Sequence, residues 1–132
     1  ERLQFRALKV VYNDYSSLYE DLLKRINLPT LHISRIKQLA IEVFKCLNNI
    51  SPDYVQELVS VRSSNYQFRH SNTLDLPKVR TTKYGKKSFR FEAAKVWNNL
   101  PNHIRCASKF TEFKQLITIW SNEHCTCSMC QY

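Results

Sequence analysis

Glycine is almost absent from this chain, since Gly85 is the only one in 132 residues. A typical globular protein contains about 7% glycine and uses it in tight turns and where the backbone is left-handed. A chain with so little glycine lacks the turns that a many-stranded fold needs. We therefore expect helices to dominate. A hydrophobic content of 43% indicates one folded domain with a modest core rather than a disordered tail.

Apolar residues recur at helical spacing in several segments, and capping residues mark where helices are expected to begin. The predicted helices cover about residues 2–12, 17–26, 33–47, 52–59, 88–100 and 108–120. The first carries an apolar stripe of Leu3, Ala7, Val10 and Val11. Ser17 followed by Glu20 has the pattern of a capping box, and Ser88 and Ser108 stand at expected N-caps. The predicted fold class is mainly α: a small bundle of about six helices with a long irregular basic segment and a cysteine-rich C-terminal tail.

We expect a single domain in four parts. These are an N-terminal helical part (1–59), an irregular basic segment (60–87), C-terminal helices (88–121) and a cysteine-rich tail (122–132). Residues 60–80 have no helical stripe and are rich in Ser and Asn, so short extended segments or an ordered loop fit best. Irregular segments of this length are uncommon in compact domains and often have a function.

Positive charge is concentrated in one part of the chain. The net charge is +9, and residues 62–105 hold ten Lys and Arg against two acids. Such a cluster favours a nucleic-acid or membrane-surface partner. No apolar run approaches the roughly 20 residues that a membrane span requires, so we expect no membrane partner.

Cations alternate with Tyr84, Phe89, Phe91 and Trp97 in the most basic stretch, residues 78–105. Cations neutralise phosphates and rings stack on bases, so this pattern suits nucleic-acid binding. For the rings, the competing interpretation is that they lie in the core. Gly85 permits a positive φ or the close approach of a phosphate. The candidate nucleic-acid-binding residues are Lys78, Arg80, Lys83, Tyr84, Gly85, Lys86, Lys87 and Arg90. The alternative is an exposed turn whose lysines only provide solubility.

Three of the five cysteines cluster near the C-terminus and predict a zinc site. The candidate ligands are His124, Cys125, Cys127 and Cys130. Zinc prefers four nitrogen or sulfur ligands, and Cys106 or His103 would complete the set from elsewhere in the fold. Because the spacing is not that of paired Cys-x-x-Cys motifs, free thiols in a frayed tail are the alternative. Without a secretory signal, we expect an intracellular, reducing compartment, either nucleus or cytoplasm.

Three stretches of the chain have residues in the order seen in one protein family. They are residues 1–31, then FKCLNNISPDYV (44–55) and KVRTTKYGKKSFRFEAAKVWNNLPNHIR (78–105). Over nearly its whole length the chain resembles the C-terminal region of animal non-LTR (LINE-type) retrotransposon reverse transcriptases, which follows the polymerase thumb. The most specific parts are RTTKYGKKSF (80–89) and AAKVWNNLP (93–101), and the clustered cysteines also look like those of the family.

The resemblance implies a segment that helps to hold template RNA or target DNA while another part of the same polyprotein makes cDNA. Polymerase chemistry uses carboxylates that hold two metal ions, including a Tyr-x-Asp-Asp turn. The four Asp residues of this chain are all isolated, so we expect no catalysis. Two hypotheses compete with this nucleic-acid-binding segment. The first is a free-standing helical interaction domain, or a retrotransposon remnant, that does not bind nucleic acid. The second is an enzyme, although no acid, base or metal set for catalysis is evident in the sequence.

Overall fold

The computed structural model describes residues 2–63 and 72–120. Over these ranges the chain forms seven helices, and its only β pairing is a single bridge. The helices are α1 (Arg2–Tyr12), α2 (Tyr19–Ile26), α3 (Leu31–Leu47), α4 (Asp53–Gln56), α5 (Phe89–Asn99), α6 (Asn102–Arg105) and α7 (Phe110–Ile119). The predicted mainly α class is confirmed. Among the described residues, no helix has the length and hydropathy that a membrane crossing needs.

Asparagine takes the place of glycine where the first three helices end. Asn13, Asn27 and Asn49 have φ angles of 49°, 54° and 57°. A left-handed residue after a helix turns the chain so that the following amides reach the last carbonyls, and asparagine tolerates this conformation better than most side chains. The N–H of Asn27, for example, donates to the Lys24 carbonyl at 3.1 Å. The chain therefore ends these helices without using its one glycine.

The chain divides into two compact units, Glu1–Arg35 and Ile36–Tyr132. In the first unit α1 packs against α2 around three buried side chains, Leu8, Leu22 and Leu23. Fully burying an aliphatic side chain of this size stabilises a fold by about 1.5–3 kcal/mol. This unit therefore depends on a small core.

The buried face of α1 differs from the stripe that the sequence predicts. Leu3 and Val10 are 78% and 66% exposed, whereas Phe5 and Leu8 point into the core of the unit. Both pairs of positions have helical spacing, so periodicity alone does not decide which face packs. The contacts with α2 select the Phe5 face.

The turn between α1 and α2 is organised by Asp14 rather than by a capping box. The Ser17 hydroxyl donates to the Asp14 carboxylate at 2.6 Å, and Arg25 donates to the same carboxylate at 3.0 Å. Helix α2 begins at Tyr19 without a side-chain cap. The predicted Ser17–Glu20 capping box is therefore wrong, because Ser17 is used by an acid that precedes it.

The core of the second unit is built around Phe113 of α7. Its ring stacks on Phe44 of α3 with 4.3 Å between centroids, and it lies 5.8 Å from the Trp97 ring of α5. All three side chains are at most 2% exposed. Aromatic pairs of this kind add about 0.5–1.5 kcal/mol to the effect of burial. The other buried residues of this core are Ile36, Ala40, Val43, Leu74, Ala93, Ala94, Val96, Leu100, Ile104 and Ile117.

One antiparallel bridge joins two stretches of the basic segment. Val61 and Leu74 form an antiparallel bridge, beside which the Arg62 N–H donates to the Thr73 carbonyl at 2.9 Å. On the other side, the Asn98 amide accepts from the Leu74 N–H at 2.8 Å and donates to the Leu74 carbonyl at 2.9 Å. Asn98 therefore acts as a neighbouring strand would. We call this arrangement the Leu74 ribbon.

Helix α5 begins where the sequence predicts, but the capping roles expected of Ser88 and Ser108 need correction. Ser88 is at the N-cap of α5, but its hydroxyl donates to the Gly85 carbonyl at 2.7 Å and makes no cap bond. Helix α7 has Lys109 at its N-cap, so Ser108 lies one residue before the cap. The helix predicted over residues 52–59 is α4, which is a single turn. Ser88 and Ser108 have the residue type of a cap, but local contacts decide their roles.

Candidate nucleic-acid interface

The candidate residues around Gly85 lie on a turn that internal hydrogen bonds hold together. We call residues 81–88 the Gly85 turn. The Thr81 hydroxyl accepts from the Gly85 N–H at 2.9 Å, and the Thr81 carbonyl accepts from the Lys86 N–H at 3.2 Å. The hydrogen bond from Ser88 to the Gly85 carbonyl then joins the turn to the start of α5. Because α5 belongs to the core, the turn has a fixed support.

Glycine is needed at position 85 for close packing, not for a left-handed backbone. Gly85 does not have a positive φ. A Cβ at this position would lie 2.7 Å from the Thr81 carbonyl oxygen and 2.8 Å from Val79 Cβ. The amides of Gly85 and Lys86 both donate within the turn, so they are not available to a phosphate. Anion binding here depends on the lysine side chains.

Six cations on and beside the Gly85 turn are exposed, and none is paired with an acid among the described residues. The two ion pairs found within ranges 2–63 and 72–120 are Arg25–Asp14 and Lys45–Glu42, which lie elsewhere. Clustered charges without counter-charges create a positive local potential that attracts anions. We call this set the basic surface; it consists of Lys78, Arg80, Lys83, Lys86, Lys87 and Arg90.

Of the four Phe, Tyr and Trp rings in residues 78–105, Tyr84 is exposed, Phe89 and Phe91 are half-buried and Trp97 is buried. Tyr84 is 73% exposed, and the Lys83 ammonium lies 5.6 Å from the centroid of its ring. Trp97 is 1% exposed and its indole N–H donates to the Asn72 carbonyl at 2.8 Å. The core interpretation is therefore confirmed for Trp97. Tyr84 is the ring exposed enough for a base to stack on it.

The basic surface is smaller than the charge count suggests. Lys95 is half-buried and Arg105 is buried, and so is Glu92, the one acid of the stretch. Residues 78–90 nevertheless hold six exposed cations and no acid. Arg69 and His70 lie outside the described residues.

Arg105 is a buried cation with an incomplete set of partners. It is 5% exposed, and its Nη2 donates to the Asn102 side-chain oxygen. Among the described residues, no atom accepts from its Nε or Nη1. Burial lowers the pKa of the guanidinium from its ordinary value, while the Cys106 thiol acts in the opposite direction. A buried donor without an acceptor costs about 1–3 kcal/mol.

The predicted zinc ligands lie outside the described residues. His124, Cys125, Cys127 and Cys130 all follow residue 120, so the zinc site stays a prediction. Within the described ranges, no three His, Cys, Asp or Glu side chains come together as a metal site requires. Cys106 and His103, the candidates for a further ligand, are both exposed.

Two residues that position the site were not singled out from the sequence. Thr81 closes the Gly85 turn, and Asn98 holds the Leu74 ribbon against the end of α5. For Thr81, the sequence offers a weak local signal, which is a hydroxyl four residues before the only glycine. Nothing local marks Asn98, because its partner is 24 residues away in the chain.

The exposed part of this site offers ammonium and guanidinium groups and one ring, which suits it to bind anions that carry flat groups. Comparison of the chain with protein-family models, with curated proteins and with solved structures finds no match. The function is therefore argued from the residues themselves.

Proposed function

We propose that this chain is a non-catalytic nucleic-acid-binding segment that holds RNA or DNA through the basic surface. The six unpaired, exposed cations of residues 78–90 are the observation that carries the proposal. Lys and Arg side chains neutralise phosphates and release counterions, which favours binding to any sequence. Tyr84 adds a ring on which an unpaired base can stack.

The parent of this segment, on the same proposal, is a retrotransposon reverse transcriptase polyprotein. The resemblance of residues 80–89 and 93–101 to the C-terminal region of that family supports it. The same residues build the Gly85 turn and the buried face of α5. The resemblance therefore covers both the candidate contact residues and the helix that supports them.

Removal of three lysines from the basic surface tests the proposal. We expect the triple variant Lys83→Ala, Lys86→Ala, Lys87→Ala to bind RNA and DNA more weakly at low salt. The loss is expected to be similar for all sequences, because phosphates carry no base identity. The slope of log affinity against log salt is expected to fall by up to about three units, one for each lost contact. Fluorescence anisotropy over a salt series measures both quantities.

The matched control removes three exposed lysines elsewhere: Lys24, Lys109 and Lys114. This variant has the same net charge as the first, so it shows the effect of overall charge alone. We expect it to retain most of the affinity. Equal losses in the two variants, or an unchanged salt slope in the first, contradict the proposal.

A second candidate function is protein interaction through the first unit. Its support is the uncovered apolar side of α1, where Leu3, Val10 and Val11 are 78%, 66% and 74% exposed. Exposed apolar patches often mark interaction sites. If the lysine variant binds nucleic acid as tightly as the unchanged protein, this function becomes the better one.

A further inference from the structure

The Gly85 turn carries hydroxyl groups among the cations of the basic surface, and the structure gives these hydroxyls different roles. The Thr81 hydroxyl accepts from the Gly85 N–H at 2.9 Å, and the Ser88 hydroxyl donates to the Gly85 carbonyl at 2.7 Å. Both groups hold the turn together. Thr82 is exposed and takes no part in these bonds. A change at the Thr82 hydroxyl therefore leaves the bonds that close the turn in place.

Thr82 stands between cations in the chain and beside another in the folded turn. Arg80 precedes it by two residues and Lys83 follows it directly. The turn also folds back on itself, since the Lys86 N–H donates to the carbonyl of Thr81, the neighbour of Thr82, at 3.2 Å. Consecutive Cα atoms are about 3.8 Å apart, and Lys and Arg side chains are long and flexible. The charged ends of all three cations can therefore reach a group attached to Thr82.

We propose that Thr82 is a phosphorylation site for a protein kinase that selects basic sequences, and that its modification releases nucleic acid from the basic surface. The release rests on the proposed function. In the transfer, the Thr82 Oγ1 attacks the γ-phosphorus of ATP, the bond from that phosphorus to the departing ADP breaks, and the hydroxyl proton passes to the catalytic aspartate of the kinase. Kinases choose substrates partly by charge pattern, so cations on both sides of Thr82 favour a kinase with an acidic substrate groove.

A phosphate on Thr82 acts against nucleic-acid binding in two ways. It carries a charge of about −1.5 to −2 at neutral pH, which lowers the charge of residues 78–90 from +6 to about +4. Its oxygens also accept hydrogen bonds from Arg80, Lys83 and Lys86, so they compete with the phosphates of RNA or DNA for the same donors. The modification therefore weakens binding while the turn keeps its fold.

The first experiment tests the modification itself on the full-length protein. The chain is incubated with ATP and either the catalytic subunit of cyclic-AMP-dependent protein kinase or protein kinase C, both of which select basic sequences, and mass spectrometry locates the phosphate. We expect at least one of them to place phosphate on Thr82 in most of the protein. Thr82→Val, which keeps the shape of the side chain, should lose most of the incorporated phosphate. Phosphate that goes to Thr81 or Ser88 instead, or no phosphate on Thr82 with either kinase, overturns the proposal.

The second experiment measures binding with two full-length proteins that each carry one phosphothreonine, introduced during synthesis at position 82 or at position 111. Thr111 is also exposed, but it lies in α7 outside the basic surface, so the two proteins have the same net charge. In fluorescence anisotropy with single-stranded RNA, we expect the phosphate at position 82 to weaken binding at low salt by about tenfold or more. The salt slope should fall by about two units, one for each neutralised cation. The phosphate at position 111 should have little effect.

The outcomes separate this inference from the proposed function. If the unmodified protein binds RNA with a steep salt dependence and the two phosphorylated proteins bind equally, the release by phosphorylation is overturned while the proposed function stands. If the unmodified protein binds neither RNA nor DNA, the proposed function fails and the release fails with it, whereas the kinase experiment still decides whether Thr82 is a phosphorylation site. A loss of helical circular dichroism in the protein phosphorylated at position 82 would show unfolding rather than competition, and it also overturns the proposal.

Discussion

Tyr84 and Tyr54 are equally exposed, at 73%, but only Tyr84 stands among unpaired cations. This contrast makes a prediction about the form of nucleic acid that binds. A base stacks on an exposed ring only when it is not already stacked in a duplex. We expect Tyr84→Ala to weaken binding of single-stranded RNA or DNA by about 5- to 100-fold, since a stacked base contributes about 1–3 kcal/mol. Anisotropy with single-stranded and duplex forms of one sequence measures this effect.

Two further variants serve as controls for Tyr84. Tyr84→Phe keeps the ring and should bind almost as tightly as the unchanged protein. Tyr54→Ala removes an equally exposed ring outside the basic surface and should have no effect. Equal losses of duplex and single-strand binding in Tyr84→Ala would show that the tyrosine does not stack on bases. That result would leave the proposed lysine contacts standing.

Gly85 is a special position, as the sequence predicts, but the reason is close packing rather than a positive φ. The single glycine marks a special backbone position, and the structure places a special contact there. The constraint is the 2.7 Å that would separate a Cβ from the Thr81 carbonyl oxygen. That distance depends on how the turn folds back on itself, which residue type alone does not reveal.

At the scale of elements, the Leu74 ribbon depends on one side chain of α5. Leu74 is 3% exposed, and both of its backbone groups are bonded to the Asn98 amide. Asn98→Ala leaves a buried N–H and a buried carbonyl without these partners, so we expect a loss of about 2–4 kcal/mol in the free energy of unfolding. Urea denaturation followed by circular dichroism measures it. Asn48→Ala, which removes one bond from an exposed amide, should cost less than about 1 kcal/mol.

The turn between α1 and α2 gives the first unit a dependence on pH. Hydrogen bonds from Ser17 and Ser16 lower the pKa of Asp14 far below its ordinary value of 3.8. The folded state therefore favours the charged form of Asp14. The stability that the Asp14 hydrogen bonds contribute is complete above pH 3.8, and it is lost as the pH falls below that value. We expect Asp14→Asn to weaken amide protection in α2 at neutral pH, and the difference from the unchanged protein to narrow in acid.

Hydrogen exchange of the Leu22 and Leu23 amides measures this effect. Asp75→Asn, which changes an exposed carboxyl in the other unit, serves as the control and should leave these amides unchanged. Equal protection of these amides in Asp14→Asn and in the unchanged protein at neutral pH would show that Asp14 does not hold the turn.

At the scale of the whole molecule, core size and charge are unevenly distributed. Among residues 2–63 and 72–120, the core of the second unit has 13 buried residues and that of the first has three. The basic surface belongs to the second unit. The proposed nucleic-acid contact and most of the apolar burial of the described residues therefore lie in the same unit. The exposed cations of the basic surface repel one another, which lowers the stability of the second unit. Burial of the apolar side chains of its core offsets this loss.

The metal content of the whole chain is a further prediction. If His124, Cys125, Cys127 and Cys130 bind zinc, protein purified under reducing conditions should contain about one equivalent, since a structural site fills at neutral pH. Replacement of the three cysteines by serine should remove it, whereas Cys46→Ala should not, because Cys46 is buried in the second unit. Atomic absorption measures the metal. Less than about half an equivalent in the unchanged protein supports free thiols.

The sequence by itself determined the mainly helical fold class, most of the helices and the position of the positive charge. These properties follow from local patterns: glycine content, apolar residues at helical spacing and runs of Lys and Arg. α1, α3 and α5 lie where those patterns predict, and Trp97 is buried, in agreement with the core interpretation of its ring.

The tertiary structure decided which face of α1 packs, which serine caps a helix and which cations remain at the surface. Each of these depends on a contact between residues that are distant in the sequence or on competition between nearby partners. Lys83 and Arg105 contribute equally to a charge count, but one is exposed on a turn and the other is buried beside two cavities. Burial is a property of the packed chain, because it depends on what the rest of the fold places around a side chain.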